Sequence, residues 1–202
     1  PVRHAGMLKS VKAIGWYIEE YGVAQISMNL TNINVTALHT AFDACDDGAR
    51  DRGIRVTGSE IVGMIPKKVL IDAGKHYLEK QKLSAGLSER DLMKLAVKTL
   101  GLEEFAPFPL DKKIIEYAIA KPEDTMLADL TVAGYADLTA SESPAPGGGS
   151  ASAAVGAFGV ALGVMVANLT STKKGYEKHW KMYSDYAVKG QEIKQRLLHL
   201  ID

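Results

Sequence analysis

The chain has 202 residues, in which 24 lysine and arginine residues balance 24 aspartate and glutamate residues. The zero net charge argues against a protein held to nucleic acid by phosphate neutralisation, because such domains are usually basic. Hydrophobic residues make up 47% of the chain and charged residues 24%, which is typical of a soluble globular protein. The length fits one or two domains.

A lone cysteine, Cys45, supports neither an intrachain disulfide bond nor a cysteine-based metal cluster. We therefore expect a cytoplasmic protein without a metal site. The first residues lack the apolar stretch of a signal peptide. They also lack an initiator methionine, so we expect the chain to be a piece of a longer protein.

The first half of the chain alternates between helical and extended patterns. Gly22 bounds a predicted strand, Thr36 is a candidate N-cap, Gly53 is a candidate helix stop, and Pro66 suits a first helical turn. The predicted elements are a helix over 8–21, a strand over 23–30, a helix over 36–52, a β-branched run over 54–65, helices over 66–81 and 88–101, and a short helix over 111–117. Alternating strands and helices indicate an α/β or α+β unit.

Prolines and charges near Lys121 predict a domain boundary there. After it, no segment requires a strand, and helices are predicted over 126–140, 151–172 and 175–202. The sequence therefore predicts an α+β protein. A ferredoxin-like α/β subdomain would occupy residues 1–120, and an all-α helical segment residues 121–202.

Residues 143–172 carry no charged side chain, and this run opens with Ser-Pro-Ala-Pro-Gly-Gly-Gly-Ser. The apolar part is at the lower length limit of a membrane span. Its alanines and glycines make transfer to lipid only weakly favourable, so a buried helix without a membrane span is preferred. Gly147, Gly148, Gly149 and Ser150 then form either a flexible linker or, as we favour, an ordered loop whose N–H groups face a ligand and whose hydroxyl residue caps the helix.

Polar side chains alternate along the predicted strand 23–30. Gln25, Ser27 and Asn29 point to the same face, which suits either solvent or the hydrogen-bonding edge of a pterin or amide. Glu60 is predicted at a strand end, where it either caps a turn, as we favour, or binds an ammonium group. His39 and His76 fall in helical patterns and are interpreted as structural or surface residues.

Two sets of motifs resemble one known family. The string Ser143-Pro-Ala-Pro-Gly-Gly-Gly-Ser-Ala-Ser-Ala153, followed by Asn168-Leu-Thr and Lys173-Lys-Gly-Tyr176, resembles the cyclodeaminase domain of formiminotransferase-cyclodeaminases. The strings Ala13-Ile-Gly-Trp-Tyr-Ile-Glu-Glu20, Gln25-Ile-Ser-Met-Asn-Leu30 and Val56-Thr-Gly-Ser-Glu-Ile-Val-Gly63 resemble the C-terminal subdomain of glutamate formiminotransferase. Their order is that of the fused bifunctional enzyme.

The resemblance implies a folate enzyme of histidine degradation. A formimino group would move from N-formimino-L-glutamate to N5 of the co-substrate tetrahydrofolate, and N10 would then attack its carbon, releasing ammonia and forming 5,10-methenyltetrahydrofolate. It also implies a homo-oligomer, folate contacts at Ser27, Met28 and Asn29, and folate against the glycine loop. A single-activity methenyltetrahydrofolate cyclohydrolase and a folate-binding fragment without turnover are the alternatives.

The chain departs from the family at its catalytic residues. The transferase's catalytic histidine lies in an N-terminal subdomain that has no counterpart here. In the cyclodeaminase, the catalytic aspartate falls in a helix with a pattern like Leu-x-x-Val-Asp-x-Asp. Residues 197–202 resemble the beginning of this pattern, so Asp202 is either that carboxylate or the residue just before it. We therefore expect little activity from this chain by itself.

Overall fold

A computed structural model describes residues 8–120 and 126–202. Within this part of the chain, contacts divide the protein into two compact units. The first comprises 8–76 and 93–115, and the second comprises 77–92, 116–120 and 126–202. The second unit thus includes residues 77–92, which lie in the chain between the two segments of the first unit. The predicted domain division between residues 120 and 121 stays a prediction.

The first unit begins with an antiparallel hairpin. Strands β1 (Val11–Ile18) and β2 (Val23–Leu30) pair from Val11 opposite Leu30 to Ile18 opposite Val23. The turn closes with a hydrogen bond from the Gly22 N–H to the Glu19 carbonyl (3.3 Å), and Gly22 has a φ of +64° that favours glycine. The strand prediction over 23–30 is confirmed.

The helix predicted over residues 8–21 is wrong, because this segment forms β1. Its β-branched and aromatic residues, among them Val11, Ile14 and Trp16, favour a strand once a partner strand is available. The pairing with β2 lies beyond the short window in which the helical pattern was read. Hairpin formation therefore overrides the local signal.

Helix α1 (Leu38–Arg50) confirms the helix predicted over 36–52. Its N-cap is Ala37, so the predicted cap at Thr36 is wrong. The buried Thr36 hydroxyl instead donates a hydrogen bond to the carbonyl oxygen of Lys9. Gly53 lies beyond the end of the helix with a φ of +73°, as expected of a glycine stop.

The β-branched segment 54–65 forms no regular strand. Its backbone bonds to other loops: the Ser59 N–H donates to the Gly101 carbonyl (3.1 Å), and Ile65 forms an isolated parallel bridge with Ile114. The prediction that Glu60 lies at a strand end is therefore wrong. The backbone bonds of this segment are scattered over separate loop partners, whereas a strand needs a continuous neighbour.

The next helices follow the predicted order. They are α2 (Lys67–Lys80), α3 (Glu89–Thr99), α4 (Leu110–Lys113) and α5 (Ile115–Ala118). Ser88 caps α3, since its Oγ accepts a hydrogen bond from the Asp91 N–H (3.2 Å) and donates one to the Asp91 carboxylate (2.7 Å). The largest fully buried side chains of the first unit are Leu70, Met93, Leu100 and Ile114.

The second unit contains three further helices, α6 (Val132–Thr139), α7 (Gly148–Ser171) and α8 (Trp180–His199). It also contains short 3₁₀ turns at Leu127–Asp129 and Glu177–His179. Val164, Ala167 and Ala187 form its buried cluster. A Cβ on Gly190 would lie 2.4 Å from Cγ2 of Val164, so a glycine allows α7 and α8 to pack closely. The described residues after 125 contain no strand. Together with the hairpin, this confirms the α+β class, while the ferredoxin-like detail stays a prediction.

Helix α7 is long and apolar enough to cross a membrane by length and composition, with 22% of its most apolar window buried. One such helix is weak evidence for a span. Most of α7 is nevertheless exposed or half-buried among the described residues, so the burial predicted for this helix is not found. Exposed apolar side chains on α7 include Val155, Phe158, Leu162, Met165 and Leu169. They follow one another at intervals of three and four residues, so they form a stripe along one side of the helix, called here the apolar stripe.

Two histidines stack in the first unit. The rings of His39 and His76 lie 4.2 Å apart between centroids and are nearly parallel, at 16°. Nε2 of His76 lies 3.1 Å from the Asp43 carboxylate, and Nδ1 of His39 is buried without a hydrogen-bond partner among the described residues. Burial, and next the neighbouring His76, lower the pKa of His39, while Asp43 and Asp72 oppose this shift.

The lowered pKa of His39 predicts a loss of stability at acid pH. The unfolded chain takes up the proton near the ordinary pKa of ~6.5, above the folded-state pKa. The stabilising contribution is therefore complete above about pH 6.5 and falls as the pH is lowered through the folded-state pKa. In His39→Gln, urea midpoints should fall less between pH 8 and pH 5 than in the wild type. Equal slopes in both proteins would contradict this assignment.

Candidate functional site

A turn rich in proline and glycine, residues 143–150, leads into α7 and is called here the glycine turn. The Ser143 hydroxyl donates a hydrogen bond to the Ala145 carbonyl (2.6 Å) and accepts one from the Ala145 N–H (3.4 Å). Pro146 is buried and follows a cis peptide bond. Local hydrogen bonds and a buried proline are features of an ordered loop, and a flexible linker lacks them.

The glycines form the start of helix α7. Gly147 is the N-cap, Gly148 and Gly149 are the first two helical residues, and Ser150 is the third. The first intrahelical bond of the helix runs from the Ala151 N–H to the Gly147 carbonyl (3.0 Å). The N–H groups of Gly148, Gly149 and Ser150 therefore have no partner within the helix and lie at its positive end.

Among the described residues, no side chain caps this helix end. The predicted hydroxyl cap is wrong, because Ser150 lies inside the first turn and the N-cap Gly147 has no side chain. The hydroxyl of Ser152 also serves the helix itself, donating to the Gly148 carbonyl at 2.7 Å. The first-turn N–H groups are thus left to bind water or a ligand.

The glycines are not required by the chain's own packing. A Cβ built on Gly147, Gly148 or Gly149 would meet no described heavy atom within 4 Å. The φ of Gly147 is −93°, which any residue adopts. Gly147 is at the N-cap, where glycine is favoured, while Gly148 and Gly149 gain no packing contact from lacking a side chain. The positions that side chains would occupy at these three residues are therefore open among the described residues.

The polar residues of β2 form the second candidate surface. Gln25, Ser27 and Asn29 share one face of the hairpin, as predicted, and Ser27 and Asn29 are exposed. Nε2 of Gln25 lies 3.4 Å from Oε1 of Glu60. We call this set the polar face. It offers hydroxyl and amide groups that can both donate and accept hydrogen bonds.

The hairpin register adds Lys12 and Trp16 to the same face. Lys12 pairs with Asn29 and Trp16 with Gln25, and Trp16 is 44% exposed. Sequence reasoning missed both residues because it assigned residues 8–21 to a helix. The β-branched and aromatic content of Val11–Ile18 was the signal that would have found them. An exposed indole beside amide groups suits a flat heterocycle.

Met28 lies on the opposite face of the hairpin from Ser27 and Asn29. Its sulfur is 3.9 Å from Sγ of Cys45 on α1. Burial raises the pKa of the Cys45 thiol, as expected for the structural role predicted for it. Asp202 is exposed and lies three residues beyond the end of α8 at His199. The folate roles of Ser27, Met28 and Asn29 and the catalytic role of Asp202 stay predictions.

The fold and these two surfaces define a chain in two parts, an α+β region with a polar strand and a helical region with a glycine turn. Residues 2–120 match the family model of the formiminotransferase domain, and residues 131–202 match that of formiminotransferase-cyclodeaminase. The chain belongs to the formiminotransferase family, in the two-part arrangement of formiminotransferase-cyclodeaminases. The resemblance stated from the motifs is confirmed.

Curated relatives agree with this assignment. The chain is 42% identical over 174 residues to formimidoyltransferase-cyclodeaminase of Mus musculus, covering 85% of this chain and 32% of the relative. The Dictyostelium discoideum protein of the same name is 41% identical over 174 residues, which cover 85% of this chain and 32% of the relative. Glutamate formimidoyltransferase of Streptococcus pyogenes is 40% identical over 74 residues, covering 37% of this chain and 25% of the relative. The chain thus spans about a third of its bifunctional relatives.

Proposed function

We propose that this chain is part of a folate-dependent formimidoyltransferase-cyclodeaminase of histidine degradation. The observation that carries the proposal is the consecutive match to both family models in one chain. The two reactions are formimino transfer from N-formimino-L-glutamate to tetrahydrofolate, and closure to 5,10-methenyltetrahydrofolate with loss of ammonia. Both act on one co-substrate, so the role assigned to this chain is to bind folate in each region.

The polar face is proposed to bind folate in the transferase region. The Ser27 hydroxyl and the Asn29 amide would pair with the donor and acceptor groups of a pterin or amide, and Trp16 would cover the flat ring. These side chains hold and orient the folate. The acid and base that deprotonate the attacking amine and assist glutamate departure are proposed to lie outside this polar face.

The glycine turn is proposed to bind folate in the cyclodeaminase region. Folate ends in glutamate carboxylates, and the N–H groups of Gly148, Gly149 and Ser150 form the positive end of α7. The absence of side chains at the first two positions lets a carboxylate approach the backbone. Asp202 is the candidate for moving a proton from N10 to the departing nitrogen.

The apolar stripe is proposed to be an interface between copies of this chain in the cytoplasm. Because α7 carries no charged residue, its symmetry copy can pack against it without like-charge repulsion. A Cβ on Gly159 or Gly163 would meet nothing within 4 Å, so neighbouring surface on α7 is open to close approach.

Folate binding by this chain tests the proposed function. We expect calorimetric titration with 5-formyltetrahydrofolate, a stable reduced folate, to show saturable binding, and titration with adenosine to show none. Equal responses to the two compounds, or no response to the folate, would contradict the proposal. Ammonia release from 5-formiminotetrahydrofolate then distinguishes a catalyst from a binding fragment.

A further inference from the structure

The loop between α2 and α3, residues 81–88, is inserted into the second unit. It lies within the region that matches the formiminotransferase domain, yet it packs with α7 and α8, which lie in the cyclodeaminase match. Ser84 and Ala85 of this loop are buried. We call residues 83–88 the docking loop.

Asn168 of α7 binds the docking loop at two points. Its Oδ1 accepts a hydrogen bond from the Ser84 hydroxyl (2.6 Å), and its Nδ2 donates one to the Gly86 carbonyl (2.8 Å). A single amide side chain thus satisfies a donor and an acceptor two residues apart. This fixes the position of the loop along α7, since a shift by one residue breaks both bonds.

Two side chains of helix α8 also form hydrogen bonds with the docking loop. The Ala85 N–H donates to the hydroxyl of the buried Ser184 (3.0 Å), and Nε2 of Gln191 donates to the Gly86 carbonyl (3.0 Å). Each buried polar group of the loop that is named here thereby has a partner from α7 or α8. Leaving such groups unpaired is costly in a buried site.

Close packing completes the contact. A Cβ on Gly86 would lie 2.2 Å from Cβ of Ala187 and 2.8 Å from its carbonyl carbon, so only glycine allows this approach. At the edge of the contact, Nζ of Lys181 lies 3.7 Å from Oε1 of Glu79 at the end of α2. That ion pair is exposed and contributes little. The amide and hydroxyl bonds carry the specificity.

We propose that the docking loop is the attachment by which the formiminotransferase region positions the helices of the cyclodeaminase region, with Asn168 as its central positioning residue. The Asn-Leu-Thr string that begins at Asn168 thereby gains a structural role in this chain. The attachment couples the two matched regions thermodynamically, independently of whether either region binds folate.

Hydrogen exchange of the whole chain tests this coupling. In Asn168→Ala, amides of residues 83–88 should exchange at least 10-fold faster, while those of the hairpin 11–30 keep their wild-type rates. Thr170→Ala is the matched control, because the Thr170 hydroxyl bonds within α7, to the Val166 carbonyl, and to no other described residue. Equal exchange of residues 83–88 in Asn168→Ala and Thr170→Ala would overturn the proposal.

A second variant covers the case in which Asn168→Ala does not fold, and a double-mutant cycle gives a second test where it does fold. Asn168→Asp keeps an acceptor for Ser84 and loses the donor to Gly86, so it should give an intermediate rate. The chain has two tryptophans, Trp16 in the first unit and Trp180 in the second, and single-tryptophan variants report on each unit. The urea midpoint is followed by the fluorescence of Trp180 in Ser84→Ala, in Asn168→Ala and in the double variant. The decrease in the double variant should be smaller than the sum of the two single decreases. Additive shifts would also overturn the proposal.

Discussion

Substitution of Gly148 by valine is expected to weaken reduced-folate binding at the glycine turn about 10- to 100-fold. The branched side chain would stand in the space through which a carboxylate reaches the first-turn N–H groups. A hydrogen bond to a charged group contributes ~1.5–3 kcal/mol, which corresponds to this range of dissociation constants. Calorimetric titration with 5-formyltetrahydrofolate measures the change.

The fold itself should tolerate this substitution. A Cβ at Gly148 meets nothing within 4 Å, and valine has a slightly better helix propensity than glycine. Thermal unfolding should therefore shift by no more than a few degrees. Gly48→Val is the matched control, because Gly48 lies in α1 and a Cβ there would make an ordinary contact, 3.7 Å from Nη1 of Arg52. Wild-type affinity in Gly148→Val, or equal weakening in the control, would remove the glycine turn from the folate site.

Replacement of Phe158 by aspartate is expected to convert the proposed oligomer to monomers. Phe158 is 62% exposed near the middle of the apolar stripe. In a contact between identical copies, the substitution adds a charge from each side to a desolvated surface. Such like-charge placement costs several kcal/mol, so association should weaken about 100-fold or more. Light scattering coupled to gel filtration, without detergent, measures the mass.

A control variant separates the stripe from general surface effects. Val132→Asp also places a carboxylate on an apolar residue that is exposed, at 73%, and lies on α6 away from the stripe. It should leave the mass unchanged. A wild-type protein that is monomeric would contradict the interface between copies, and one that stays in solution only with detergent would point to a membrane span for α7.

The sequence predicted the helical half of this chain more accurately than the extended half. Helix α7 is a long uncharged apolar run and α8 is a long segment with apolar–polar periodicity, and no strand signal competes locally in either. Residues 11–18 were misread because their pairing with β2 is not visible in a short window. The segment 54–65 was misread because β-branched residues also suit an extended loop whose backbone bonds reach distant carbonyls, such as those of Gly101 and Lys113.

The candidate sites also differ in how much of each the sequence predicted. The glycine turn was found as a string of residues because its signal is local, although the helix start at Gly148 and the missing cap needed the structure. Trp16 and Lys12 joined the polar face only through the strand register. Asn168 gained its role from hydrogen bonds to Gly86 and Ser84, which precede it by 82 and 84 positions in the chain. No local sequence pattern contains partners at such distances.

The docking loop also bears on how the protein forms during synthesis. The bond between Gln191 and Gly86 joins residues 105 positions apart. At ~5–20 residues per second, the ribosome needs roughly 5–20 s between making the loop and making its last partner. Over that interval the buried groups of the loop have no native partner from α8. A nascent chain paused before α8 should therefore be a better substrate for chaperones or proteases at residues 83–88 than the finished protein.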